Sequence, residues 1–278
     1  MQRKCKKLSK NYSKPPESAR LISVLFLDWN ILQLKLKLTK STGRKLAISP
    51  DTIITLGIIW KKQNIATKKS LHQIFDIKAS YKTLVVWMNA LAIHALLILG
   101  LIMQENRKHA HLVKHTDATD IPVCLNKNFK HHKTMKDFAS WGYSAKGQYF
   151  GLKMNLTTDL EGRVLALHFA GANGNDRKAF MKMNKDLDGI FVADSGYISK
   201  DLEKEFFIEN KRILFAKPKA NMKKLATDVQ NALYSTRMLI ESHFRDLKLF
   251  KGLETSLPRS INGYLANYIY SLLAHVLN

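Results

Sequence analysis

The sequence predicts an α/β protein in which one mixed sheet is flanked by helices and preceded by a mostly α-helical N-terminal domain. Three observations predict it. Residues 148–157 alternate apolar and polar side chains, a turn follows at Glu161-Gly162, and residues 163–169 return as a second apolar run, the pattern of a β-hairpin. Residues 189–193 are a short continuous apolar run, as expected of a strand buried on both faces, and residues 212–216 (RILFA) read as another buried strand. Segments of helical length separate these runs, whereas residues 21 to about 106 read mostly helical.

In order along the chain, residues 1–20 read as a basic flexible arm punctuated by Pro15-Pro16. Residues 21–110 form the helical domain. One helix is expected to start at Ser49-Pro50-Asp51 and run through residues 52–60. Residues 70–75 and 80–103 continue the helical pattern. Residues 111–278 form the α/β domain. A strand leads from His111 to Asp117, the hairpin follows, and residues 176–187 are helical. A buried strand ends at Ala193, residues 199–209 are helical, and residues 212–216 form another buried strand. Helices at 235–251 and 260–277 complete the chain.

Residues 83–103 have the length of a membrane span. Asn89 and His94 in the middle of the stretch are costly in lipid, which favours a helix buried inside protein, and no membrane partner is expected. Cys5 and Cys124 are far apart and form no CxxC pair. This excludes a disulfide framework and a cysteine-type zinc site and fits a reducing compartment. The N-terminus has no secretory apolar core. The histidines show no HExxH spacing, and no glycine-rich phosphate loop supports ATP use.

The charge is strongly one-sided. Forty-five Lys and Arg against twenty-two Asp and Glu give +23 in 278 residues. Such an excess points to a polyanionic partner. The cations fall in three blocks. Arg3, Lys4, Lys6, Lys7, Lys10 and Lys14 form the first. Lys127, Lys130, Lys133 and Lys136 form the second with His131 and His132. Lys211, Arg212, Lys217, Lys219, Lys223 and Lys224 form the third. One block alone is an ordinary solvated face; three separated blocks suit a long duplex.

Within this basic chain a few acids stand at chemically useful places. Asp194 ends a buried strand and precedes Ser195-Gly196-Tyr197, at the strand end where ligands bind in open α/β sheets. Asp117 sits late in the first strand and reaches the same region if that strand is central. Taken singly, each reads as a turn or helix-cap residue. On a helix, Tyr234, Arg237, Glu241, Arg245 and Lys248 fall within roughly an 80° sector, beside an apolar stripe of Ile240, Phe244 and Leu247. The ordinary reading of that row is a set of (i, i+4) ion pairs. Three converging carboxylates repel one another unless cations neutralise them. All-oxygen ligands select hard ions such as Mg²⁺ or Mn²⁺.

The segment Tyr234-x2-Arg237-x3-Glu241-x6-Lys248 resembles the Tyr–Arg–Glu–Lys signature of bacterial insertion-sequence DDE transposases at all four positions and all three spacings. Asp194-Ser195-Gly196-Tyr197 is similar to their second-Asp motif, Asp117–Cys124 to their first-Asp strand, and Tyr149–Lys153 to a strand of the same group. Ala118 and Ser195 depart from the usual residues, and Asp120 is a rival first acid.

The resemblance implies an RNase H-like catalytic core over residues 111–278. It implies Asp117, Asp194 and Glu241 as catalytic metal ligands for two Mg²⁺ (or Mn²⁺) ions, with Tyr234, Arg237 and Lys248 near the transposon-end DNA. Arg245, Lys127, Lys130, Lys133 and Lys153 are further candidate DNA contacts. The expected partners are double-stranded terminal inverted repeats, target DNA and a second copy of the chain, in bacterial cytoplasm at the nucleoid. The alternatives are a nuclease of the same fold that cuts without joining, a non-catalytic DNA-binding remnant, and a basic protein anchored through residues 83–103.

Overall fold

A computed structural model describes residues 47–210, 212–216 and 227–277. The N-terminal arm, Lys211 and Lys217, Lys219, Lys223 and Lys224 of the third basic block lie outside the described residues. The described chain divides into two compact units. One contains residues 47–98, 250–252 and 262–277; the other contains residues 99–249 and 253–261.

The first unit is built from helices α1 (Pro50–Lys62), α2 (Lys68–Ile74) and α3 (Tyr81–Ala90), the beginning of α4 (Ala92–Lys108) and, near the C-terminus, most of Ile261–Val276. Short polar side chains set the helix starts. Thr67 accepts from the Ser70 N–H and Ser80 from the Thr83 N–H, each satisfying an otherwise unpaired first-turn donor. Gly57 is required because a Cβ there would run into the ring of Tyr270, whose hydroxyl donates to the Met88 carbonyl at 3.2 Å.

Residues 83–103, expected as one buried helix, are divided between α3 and α4, which bend by 43° about Leu91. Leu84, Met88, Leu91 and Ala95 are buried, while Val86, Ile93 and Leu97 face outward. Among the described residues no single helix is long and apolar enough to cross a membrane, although the bent pair together has the required length and composition.

The second unit holds the sheet. Its strands are β1 (Val113–Pro122), β2 (Ser140–Ser144), β3 (Gly147–Asp159), β4 (Val164–Gly171), β5 (Ile190–Ala193) and β6 (Ile213–Ala216). The order is β2-β3-β1-β5-β6, with β4 also on β3. Gly151 pairs with Pro122 on one side and Ser140 on the other. Leu152–Thr158 pairs with β1 on one side and β4 on the other, so β2 and β4 share one edge of β3 in succession. β3 runs antiparallel to both β1 and β4, and β5 and β6 run parallel to β1. Leaving β2 aside, this is the mixed sheet of an RNase H-like core. β2 was not legible in the sequence; its five residues contain Gly142 and end in serines, and pairing to β3 rather than periodicity makes it a strand.

The helices of this unit are α5 (Asp176–Met183), α6 (Lys200–Asn210), α7 (Asp228–Ser235) and α8 (Met238–Arg245), and the long C-terminal Ile261–Val276 is α9. Phe180, Phe191, Phe206 and Tyr197 pack as rings with centroids 4.7–5.8 Å apart around β5. That cluster fixes the strand whose end carries Asp194. Arg212, expected in a DNA-facing basic block, is fully buried instead. Its Nε donates to the Phe206 carbonyl and its Nη1 to the Asn184 carbonyl at 2.8 Å, with the guanidinium over the Phe206 ring. A charge inside a core is tolerated only when hydrogen-bonded in this way, so Arg212 ties α6 to the end of α5.

Candidate active site

The parallel ladder between β1 and β5 ends at Thr116 opposite Ala193. The next residue on each chain segment is an acid, so Asp117, in the middle of β1, stands beside Asp194, which follows the carboxyl end of β5. The strand expected to finish at Asp117 continues to Pro122, because its second half stays paired with β3. A buried apolar run brings β5 to that point and a buried but largely polar one, Val113–Thr116, brings β1; Ser195–Tyr197 then turns the chain away at once in one 3₁₀ turn closed by the Tyr197 N–H on the Asp194 carbonyl.

The third acid arrives on α8. Ile240, Phe244 and Leu247 are buried, seating the helix on the sheet as the apolar stripe predicts. The helix expected over 235–251 is three segments. α7 stops at Ser235, α8 begins at Met238, and Asp246–Phe250 is wound as a π-helix. The break has a visible cause. The Thr236 hydroxyl donates to the Leu233 carbonyl at 2.6 Å and accepts from His115 Nε2 at 2.7 Å, which anchors the junction to β1. Because Thr236 spends its one proton on Leu233, His115 carries its ring proton on Nε2. Burial lowers the His115 pKa, with Asp159 opposing. Tyr234 therefore belongs to the preceding helix, and the row of five is divided across the junction.

Arg237 sits at that junction and joins two acids. Its Nη2 donates to Asp117 Oδ2 at 2.5 Å and its Nη1 to Glu241 Oε1 at 2.8 Å. The Asp117 and Arg237 side chains are only 15% and 16% exposed, whereas Glu241 is 57% exposed. Burial raises the Asp117 pKa, with Asp194 adding, while Arg237 and the Ala118 N–H pull it down. The (i, i+4) pair of the ordinary reading exists, but the same guanidinium also reaches a buried carboxylate 120 positions away.

The other candidates have distinct surroundings. Lys248 donates to Asp120 at 2.9 Å and also meets Glu254 at 2.8 Å. Lys153, the ladder partner of Asp120, is mostly buried and pairs with Asp176 at 3.1 Å. Arg245 is exposed, and so are Lys127, Lys130 and Lys133. Tyr234 lies within electrostatic reach of Arg237. Sequence reasoning passed over Asp176 and Tyr197 as members of this cluster. The buried Tyr197 hydroxyl has a pKa raised by burial and by Asp117, Asp176 and Asp194. Asp176, following the N-cap Asn175, looks like any first-turn helix acid, so only the fold reveals it.

The donor set suits a hard cation. Asp117 is a buried carboxylate, Asp194 is adjacent, and Glu241 is a third carboxylate nearby, all oxygen donors of the kind hard ions take. Among the described residues, no three His, Cys, Asp or Glu side chains are grouped closely enough to hold a metal ion as they stand. Glu241 is one guanidinium away, so the fit requires Arg237 to release it.

An RNase H-like sheet with one aspartate within central strand β1 beside another just past the end of β5 defines the class. The family model for the transposase DDE domain matches residues 107–261, more than half the chain and the whole stretch from β1 through α8. The chain belongs to the DDE transposase family. No match was found among curated proteins or among solved structures. DDE transposases generally use divalent metal ions and bind DNA.

Proposed function

We propose that this transposase cleaves DNA at the ends of an insertion sequence and joins the freed ends to target DNA, with Asp117, Asp194 and Glu241 holding Mg²⁺ or Mn²⁺. The observation that carries this reading is the alignment of Asp117, within β1, with Asp194, just past the end of the adjacent parallel strand β5, with Glu241 linked to Asp117 through Arg237. Two divalent ions bound there would polarise the attacking and leaving oxygens of a phosphodiester. Water attacks phosphorus, the bond to the 3′ oxygen breaks, and that oxygen leaves as a 3′-hydroxyl. The hydroxyl then attacks a phosphodiester of the target strand and displaces its 3′ oxygen.

The protein supplies positioning. Arg237 exchanges a carboxylate for a DNA phosphate, which such a planar fork binds with two hydrogen bonds. Arg245, Lys248 and Tyr234 line the same approach, with Lys127, Lys130, Lys133 and Lys153 contributing positive charge. Residues 21–110 read the terminal repeats, residues 111–278 carry the chemistry, and two copies act together on paired ends in the cytoplasm at the nucleoid.

The test uses the DNA flanking the gene, where matched inverted repeats are expected. A labelled duplex ending in such a repeat is incubated with the full chain, Mg²⁺ and a plasmid target. Cleaved ends together with label joined to plasmid support the reading. Cleavage without joining identifies a nuclease, and binding without cleavage in Mg²⁺ or Mn²⁺ identifies a DNA-binding remnant.

A further inference from the structure

Beyond the acids, the second unit carries a built projection. β3 is 13 residues long, and its last ladder pair with β1 is Gly151 with Pro122. Gly147–Phe150 therefore runs past the end of β1 and returns as β2. The tip is a tight turn in which Gly147 has φ +105° and the Lys146 N–H donates to Ser144 Oγ. Because β3 is antiparallel to β1, this tip lies beyond Pro122 at the carboxyl end of β1, five residues further along that strand than Asp117.

A 3₁₀ segment, Asn126–His131, is fixed to the hairpin. Phe129 packs on Trp141 of β2 and Phe150 of β3, with ring centroids 4.8 and 4.7 Å away. Asn126 Nδ2 donates to the Gln148 carbonyl at 2.7 Å. The apolar side of the segment is thus consumed by packing, and its lysines face outward. Lys127, Lys130, Lys133 and Lys146 are exposed and make no ion pair among the described residues, and Tyr143 beside the tip is 79% exposed. Asp137 is the one acid between Lys127 and Lys146. Four unpaired lysines on a rigid, aromatic-clamped element fit a run of phosphates better than a single small anion.

We propose that the β2–β3 hairpin and its clamped lysine segment form an arm that grips duplex DNA at a fixed distance from the acids; this rests on the reading of those acids as the cleavage site. Leu156 is the ladder partner of Asp117 and lies nine positions along β3 from Gly147. At ~3.3 Å per residue the arm reaches roughly 30 Å. At ~3.4 Å per base pair that corresponds to about nine base pairs from the scissile phosphate. The arm therefore recognises length and backbone, with no base readout.

The test is fluorescence anisotropy of the full chain in EDTA, with duplexes extended from 3 to 15 base pairs on each side of the cut position in turn. Cleavage of the same set in Mg²⁺ is read in parallel. Affinity is expected to rise about tenfold as one flank grows from about six to about ten base pairs, then level off. The variant Lys127→Ala/Lys130→Ala/Lys146→Ala, all at exposed positions, should lose that step and show a log–log salt slope smaller by about 2–3. A single-stranded extension of equal length should not reproduce the step. If wild type has no length step, or the variant keeps it, the arm is overturned. A length step in binding with no cleavage at any length leaves the arm standing and overturns the assignment of the acids.

Discussion

Arg237 and Asp117 lie 120 positions apart in the chain and meet at 2.5 Å, and the other terminal nitrogen of the same guanidinium holds Glu241. Two acids of the candidate site thus share one arginine. Removing that arginine strands a buried carboxylate. Arg237→Gln is expected to destabilise the protein by about 3 kcal/mol, the usual scale for breaking a partly buried pair. It should also raise the Asp117 pKa further, because burial already pushes it up and Arg237 is the main opposing influence. Since the ionised carboxylate is the active form, the acid limb of the pH–rate profile should move to higher pH in the variant. An unchanged limb, with cleavage intact, would reduce Arg237 to a structural ion pair.

The His115–Thr236 bond makes a separate prediction. Thr236→Val keeps shape but removes both the acceptor for His115 and the donor to Leu233 at the α7–α8 junction. A buried imidazole N–H left unpaired costs about 1–3 kcal/mol. Urea unfolding should show that loss, and cleavage should fall more than substrate binding because the junction positions Arg237. Wild-type stability would show that the junction does not depend on this bond.

What could be read in the sequence follows from where the determining contacts lie. β5 and its terminal Asp194 were legible because a strand buried on both faces needs a continuous apolar run. Ile240, Phe244 and Leu247 were legible because helical burial repeats along one stripe. The break at Thr236 was not, because its cause is His115, 121 residues away. Arg212 looked like one more surface cation, but the carbonyls that receive it belong to α5 and α6 and become visible only after folding. Lys153 and Lys248 read as open DNA contacts, yet each has an acid partner contributed by another element.

A third prediction concerns pH and stability. Lys61 is buried, donating to Asn267 Oδ1 and the Gly252 carbonyl, and burial lowers its pKa to about 7, with Lys68 adding. Burial likewise lowers Lys68 to about 8. Between pH 7 and the ordinary lysine value of 10.5, the unfolded chain binds protons that the folded chain has released. Stability should therefore rise with pH across that window, by up to about 1.4 kcal/mol per pH unit for each fully linked proton. Lys61→Met should flatten the slope whatever it does to absolute stability. Urea titrations at pH 7, 8 and 9 read the slope directly, and equal slopes in both proteins would contradict the assignment.

The central claim is that Asp117, Asp194 and Glu241 act as one metal-holding unit. Asp117→Asn, Asp194→Asn and Glu241→Gln each remove a ligand charge while nearly preserving shape, so each should still fold and bind DNA. Because the three act together, their losses should be similar and far from additive. Asp120→Asn is the control, since Asp120 pairs with Lys248 and lies across the ladder from Lys153 rather than Leu156. The decisive measurement is Mg²⁺-dependent cleavage of a labelled terminal-repeat duplex by wild type and these four variants, with binding measured alongside in EDTA. The account predicts cleavage reduced at least about 10³-fold in the three variants, binding retained in all, and activity largely kept in Asp120→Asn. Cleavage that survives Asp117→Asn or Asp194→Asn, or is abolished by Asp120→Asn alone, would contradict it.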